Sequence, residues 1–312
     1  MERQLPKSFI LSEDVSRALY SRMPIVALES AVITHGLPHP QNLDLAKEME
    51  STVRANGATP ATIGVLDGKV HIGLTPAEVE TLADLSVPAR KISRRDYGIA
   101  IARREKGGTT VAGTLIAAHM AGIRVFATGG IGGVHRDAPF DISADLPELG
   151  RTPLVVVCAG AKAILDLPAT IEYLETMGIP IVGYRTKEFP AFYSPDSGLP
   201  VNVSVDSPEE ICQIAKAHWD MGQTSAILVV VPPPAEAAEP REEVEGIIQE
   251  ALKEAQAAGI RGAAVTPFLL SKVSQLSGGA SLRANLALLK NNASVAGQIA
   301  ARMFSNTGWK MV

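Results

Sequence analysis

The chain has 312 residues, 46% of them hydrophobic, and a formal charge of −4. That size buries one large core or two modest ones, and no Ser- or Pro-rich linker divides the chain, so the expectation is a single domain over residues 1–312. The negative balance without a long basic run argues against a polymeric nucleic acid as partner, and no stretch nears the ~18 apolar residues of a membrane span, so a soluble cytoplasmic protein acting on small molecules is expected.

In chain order, "PIVALES" reads as a strand ending at Glu29, a carboxylate that by default caps the next element. A helix from Asn42 places Leu45, Met49 and Val53 on one face. "TIGVLDGKVHIGL" reads as a hairpin, because Asp67-Gly68 suits a tight turn that needs positive φ. Thr75-Pro76-Ala77-Glu78 is a capping box with proline at the first helical position. "RKISRRD" sets Lys91, Arg94 and Arg95 in what is by default a solvated basic turn. "KGGTTVAGT" opens a helix at Thr109 and Thr110, whose N-terminal amides suit an anion but equally describe an ordinary capped helix.

"IRVFATGG" is a strand followed by Gly129, Gly130, Gly132 and Gly133, a turn that either admits an anion or packs tightly. It matches neither the dinucleotide nor the P-loop pattern. "PLVVVCAG" is a strand buried on both faces, with a helix expected from Ala161 and Lys162 in its first turn. "PIVGYRT" and "SAILVVVPPP" are further strands, and Pro232 to Pro234 form a loop before an amphipathic helix. Asn285 and Asn292, in "SLRANLALLKNNASVAG", belong by default on a helix surface. Cys158 and Cys212, far apart in apolar segments, read as core thiols of a reducing compartment. Such alternation defines an α/β protein, layered α/β/α around a mixed, mostly buried central sheet.

Ligands in such sheets gather at the carboxyl ends of strands, where Glu29, Lys91, the glycine-rich stretch and Lys162 fall. Lys162 is either a snorkelling surface lysine or an amine whose pKa, lowered by a helix N-terminus and partial burial, makes it a nucleophile toward a carbonyl. Asp141 and Asp145 in "DISAD" lie on one helical face at i, i+4, or sit where Asp commonly caps a helix. Beside His135 and the glycine turn, two carboxylates suggest a hard divalent cation, Mg²⁺ or Mn²⁺.

Together "ALES…THGLPHPQN", "KISRRD", "FATGGIGGVHR", "FDISADL", "CAGAKAILDL", "EYLET", "TPFLL" and "NNA" resemble the pseudouridine-5′-phosphate glycosidase family from Ala27 to Ala293. The resemblance implies reversible cleavage of pseudouridine 5′-phosphate to uracil and ribose 5-phosphate by a Mn²⁺-assisted homotrimer. It places the covalent lysine at Lys162, the proton-transferring glutamate at Glu29 and the metal-binding aspartate at Asp141. Substrate contacts fall on Lys91, Val111, Ser143, Ala144, Asp145 and Asn285, with Thr110 and His135 beside them as further candidates. "HRDAPFD" is shorter than usual in the family, so the loop from His135 to Asp141 is expected to be rebuilt. Two other readings stay open: a Schiff-base lyase or N-glycosidase on another sugar phosphate, and a non-catalytic sugar-phosphate sensor.

Overall fold

The computed structural model describes residues 5–136, 138–260 and 265–305. Strand β1 (Phe9–Leu11) leads into α1 (Glu13–Tyr20), started by the Ser12 hydroxyl accepting from the Val15 amide. Strand β2 (Ile25–Leu28) ends at Glu29 and is followed by a short π-helical turn (Val32–Gly36) and α2 (Gln41–Ala55), which buries Leu45, Met49 and Val53 as the spacing predicts. Strands β3 (Thr59–Leu66) and β4 (Lys69–Ile72) form the expected antiparallel hairpin; Asp67 and Gly68 take φ of 47° and 69°. The capping box holds at α3 (Pro76–Ala83), where Thr75 and Glu78 satisfy each other's backbone amides.

Then come β5 (Arg90–Ile92), α4 (Tyr97–Ala102), β6 (Gly107–Thr109), α5 (Val111–Met120) and β7 (Val125–Ala127). A three-stranded side sheet follows, built from β8 (Val134–His135), β9 (Ala138–Ile142) and, beyond α6 (Asp145–Leu149) and β10 (Val155–Cys158), β11 (Leu165–Asp166). The remaining elements are α7 (Leu167–Thr176), β12 (Ile181–Tyr184), β13 (Val203–Val205), α8 (Pro208–Asp220), β14 (Ile227–Val230), α9 (Arg241–Ala257), α10 (Val265–Leu276) and α11 (Ala280–Ser305).

The main sheet runs β1-β4-β3-β2-β7-β10-β14-β12-β13, with β6 on β3 and β5 on β6. Only the β3–β4 and β3–β6 pairings are antiparallel among the described residues. Its centre, β2, β7, β10, β14 and β12, is buried at every position, because flanking helices cover a largely parallel sheet. The mixed α/β expectation therefore holds. Cys158 and Cys212 are buried free thiols, and burial pushes them up to about 12 and about 11. No helix among the described residues is long and apolar enough to cross a membrane.

Two local expectations fail. No helix begins at Ala161: Gly160 turns with φ of 84°, Ala161 bridges Ile131, and the chain makes the short strand β11 before α7 starts. Asp166 decides that start, its carboxylate accepting from the Ala169 amide at 3.0 Å with Pro168 in the first turn. Lys162 thus lies in the stretch between β10 and β11, not in the first turn of a helix, so no helix that it belongs to lowers the pKa of its amine. Asp141 and Asp145 likewise share no helical face, since Asp141 lies in β9 and Asp145 is the first residue of α6.

Candidate active site

Parallel strands end on one edge, and side chains just beyond β2, β7 and β10 meet there. Glu29 leaves β2 with its backbone flanked by a buried polar knot. The Ser30 hydroxyl donates to the Ile63 carbonyl at 2.5 Å and accepts from the Thr109 amide at 3.0 Å, while Thr109 donates to the same carbonyl at 2.8 Å. Gly108 permits this approach, because a Cβ there would stand 2.2 Å from the Thr34 hydroxyl. Thr109 is therefore structural, not an anion ligand.

Burial pushes the Glu29 carboxyl above its ordinary range, against the opposing pull of the Lys162 charge and a hydrogen bond from Thr128. Lys162, partly buried, is fixed by its amide donating to the Ile131 carbonyl at 3.1 Å and its carbonyl accepting from Leu165 at 3.0 Å. Arg136 grips the same turn, donating to the carbonyls of Ala163 and Leu165 and pairing with Glu245 of α9 at 2.5 Å. Lys91 is held below the usual lysine range, first by loss of water in the chamber and next by the electrostatic influence of Lys162.

Two cavities meet at this point and share Glu29, Ala31, Lys91 and Lys162. The first, about 710 Å³, is polar: Lys91, Arg95, Thr110, Val111 and His135 line it with Ser143, Ala144 and Asp145. The second, about 510 Å³, is more apolar, walled by Phe192, Tyr193, Leu282 and Leu289, with His35 and Asn285 as polar groups. Phe192 takes φ of 63°, a strained value for a bulky side chain, and its ring rests where a Cβ on Gly130 would stand 2.6 Å away.

The sequence-predicted residues therefore gather, with one exception. Glu29, Lys91, Thr110, Val111, His135, Ser143, Ala144, Asp145 and Lys162 line the first chamber, and Asn285 lines the second. Asp141 is exposed on β9 and lines neither. Asp137, within the shortened stretch, lies outside the described residues. As to metal binding, no group of three His, Cys, Asp or Glu side chains suited to an ion occurs among the described residues. Both oxygens of Asp145 are already engaged, by the amides of Ala112 and Gly132 at 2.8 Å each. What remains, a lone carboxylate on Asp141, fits only a hard cation that keeps most of its water.

Elsewhere the packing and capping alternatives prevail over the anion-binding ones. The glycine turn is a packing device: a Cβ would stand 2.1 Å from Ser143 at Gly132 and 2.3 Å from Thr170 at Gly133. Asp145 occupies an amide at the start of α5, so that helix end is not a free anion cradle. Arg94 lies exposed in a turn as expected, and its guanidinium also forks onto the buried Glu148 with both contacts at 2.7 Å. Asn292 is fully buried, not on the helix surface. Sequence reasoning also missed Phe192 and Tyr193, because an aromatic pair carries no local signal of the wall it will form. Arg95, unlike Arg90 and Arg94, has no carboxylate partner among the described residues, and so remains free to meet an anion.

The fold and site define an α/β protein that sets a lysine amine against a buried carboxyl at the junction of a cationic and an apolar chamber. The chain belongs to the family described as "Indigoidine synthase A like protein", whose profile matches residues 14–302, and it is similar to curated proteins named pseudouridine-5′-phosphate glycosidase. The enzyme of that name from Caldanaerobacter subterraneus subsp. tengcongensis is 52% identical over 295 residues, 94% of this chain and 96% of the relative. That from Herpetosiphon aurantiacus is 53% identical over 299 residues, 95% and 98% of the two chains. Among solved structures, the prealnumycin C-glycosynthase in complex with ribulose 5-phosphate superposes with a TM-score of 0.89 at 40% identity, covering 96% of this chain and 98% of its own. An indigoidine synthase A-like protein from Thermotoga maritima gives 0.87 at 35% identity, covering 96% and 99%.

Proposed function

We propose that this protein is an enzyme that reversibly cleaves the C–C glycosidic bond of pseudouridine 5′-phosphate, giving uracil and ribose 5-phosphate. The observation that carries this reading is the meeting of Lys162 and Glu29 where the two chambers join. The names of the relatives point the same way, and the solved C-glycosynthase holds a five-carbon sugar phosphate.

A C–C glycosidic bond has no oxygen to leave as an anion, so cleavage needs an electron sink at C1′ and a proton at C5 of the base. The neutral Lys162 amine attacks C1′ as the ring C1′–O4′ bond breaks; Glu29 gives its proton to O4′ and takes one back from the new ammonium, which leaves a neutral secondary amine at C1′. Glu29 then delivers a proton to C5. The C1′–C5 electrons neutralise the protonated base, the nitrogen lone pair forms an iminium at C1′, and uracil departs. Water adds to the iminium, ribose 5-phosphate leaves as the aldehyde, and the amine is restored.

Lys91 and Arg95 serve the 5′-phosphate in the polar chamber. Phe192, Tyr193 and Asn285 offer the base an apolar wall and an amide in the other. On this reading Asp141 would hold a hydrated Mn²⁺, and such an ion supplies electrostatic stabilisation of an anionic substrate through its waters. The homotrimer and the cytoplasmic setting extend the same family reading.

Incubation with pseudouridine 5′-phosphate, followed by detection of free uracil and ribose 5-phosphate, tests the function. Release of a different base or aldehyde from another sugar phosphate, with none from this substrate, would replace it by a related Schiff-base lyase.

A further inference from the structure

Thr128 and Asn292 are fully buried polar residues to which the mechanism gives no part. The β2–β7 register pairs Leu28 with Ala127, so Glu29 and Thr128 are the next residues on neighbouring strands. The Thr128 hydroxyl donates to Glu29 Oε1. Its own backbone is pinned on both sides: the amide donates to the Val157 carbonyl at 3.0 Å, and the carbonyl accepts from Asn292 Nδ2 at 2.9 Å. The same Nδ2 reaches the Gly129 carbonyl at 3.3 Å, while Asn292 Oδ1 has no partner among the described residues. An unpaired buried acceptor is costly, so an asparagine here is explained by what its amine end holds in place.

We propose that Thr128 is a positioning residue for proton transfer by Glu29: its hydroxyl fixes Oε1, leaving Oε2 to carry the proton toward the substrate, and Asn292 fixes Thr128 in turn. This rests on Glu29 being the proton donor. Three charged groups also face Glu29: Lys162 from the turn after β10 and Lys91 from β5, which favour its anion, and Asp145 from α6, which opposes it. A hydrogen bond donated to a carboxylate also favours the anion, so removing it raises the pH at which Glu29 loses its proton.

The test follows uracil release from pseudouridine 5′-phosphate against pH in Glu29→Gln, Thr128→Val and Thr128→Ser. Glu29→Gln should lose turnover. Thr128→Val should lower kcat roughly tenfold, leave KM within about twofold, and move the falling limb of the kcat profile upward by about one pH unit. Thr128→Ser, which keeps the hydroxyl, should restore both. If Thr128→Val does not fold, Thr128→Ala carries the same comparison. Full turnover in Glu29→Gln would remove the proton-donor reading itself. An inactive Glu29→Gln together with an unmoved limb in Thr128→Val, or an equal loss in Thr128→Ser, would overturn the role of Thr128 alone.

Discussion

At the scale of single residues, Lys162 and Asp145 are neighbours in one chamber with opposite expected behaviour. Lys162 is partly buried and its side chain carries no structural bond among the described residues. Lys162→Ala should therefore lower kcat by roughly three orders of magnitude or more while leaving the melting temperature nearly unchanged. Borohydride with ribose 5-phosphate should attach a reduced pentose phosphate to the Lys162 peptide of the parent protein, seen by mass spectrometry; labelling elsewhere would refute the covalent assignment. Asp145, by contrast, ties the start of α5 to the glycine turn through two backbone amides. Each such bond to a charged group contributes about 1.5–3 kcal/mol. Asp145→Ala should thus cost about 3 kcal/mol in denaturant unfolding besides weakening substrate binding, and unchanged stability would show that the carboxylate acts on substrate alone.

At the scale of elements, the turn between β10 and α7 delivers Lys162, and a guanidinium from the end of β8 holds that turn. Arg136→Ala leaves the carbonyls of Ala163 and Leu165 without that donor and frees Glu245. The expected result is a fall in kcat of about ten- to a hundredfold with KM little changed, since the amine is displaced rather than removed. Steady-state kinetics on Arg136→Ala and Arg136→Lys check this, and the lysine, which lacks the planar fork, should recover only part. The stretch after β5 works differently. Arg94 anchors it to α6 through Glu148, which leaves Lys91 and Arg95 to line the polar chamber. Replacing both by alanine should reduce kcat/KM for the nucleotide by about two to four orders of magnitude and hardly affect the free nucleoside. Equal losses on the two substrates would show that neither cation meets the phosphate.

At the scale of the whole molecule, two buried carboxyls push the stability in opposite directions with pH. Burial alone would raise Glu148, but hydrogen bonds from Arg94, Thr152 and Arg151 override it and hold the carboxyl below its ordinary 4.5. Its contribution is fully present above that value and is lost as pH falls through the lower folded value. Glu29 is raised by burial, so its contribution is greatest below 4.5 and is lost as pH rises through its folded value. Denaturant unfolding across pH should show an acid limb that flattens in Glu148→Gln, at the expense of lower stability near neutrality. It should also show a decline above pH 4.5 that disappears in Glu29→Gln. An acid limb of unchanged slope in Glu148→Gln would assign acid unfolding to other carboxylates.

By itself the sequence determined what depends on short-range pattern. Unbroken apolar runs fixed the central strands, Asp67-Gly68 the hairpin, and Thr75 to Glu78 the start of α3, because each rests on backbone preference or capping within a few residues. Ordered motifs also named Glu29, Lys91 and Lys162, which the fold then brought to one junction. Only tertiary structure decided the rest. Whether Lys162 sat in a helix turned on Asp166, Pro168 and a bridge to Ile131, a residue far away in sequence. Whether Asp145 met a metal or two amides depended on the arrival of Ala112 and Gly132. Asn292, polar on a helix, went inside because the end of β7 offered two carbonyls needing a donor. A side chain's partner is set by which segments the sheet brings together, and that is a long-range property no local pattern contains.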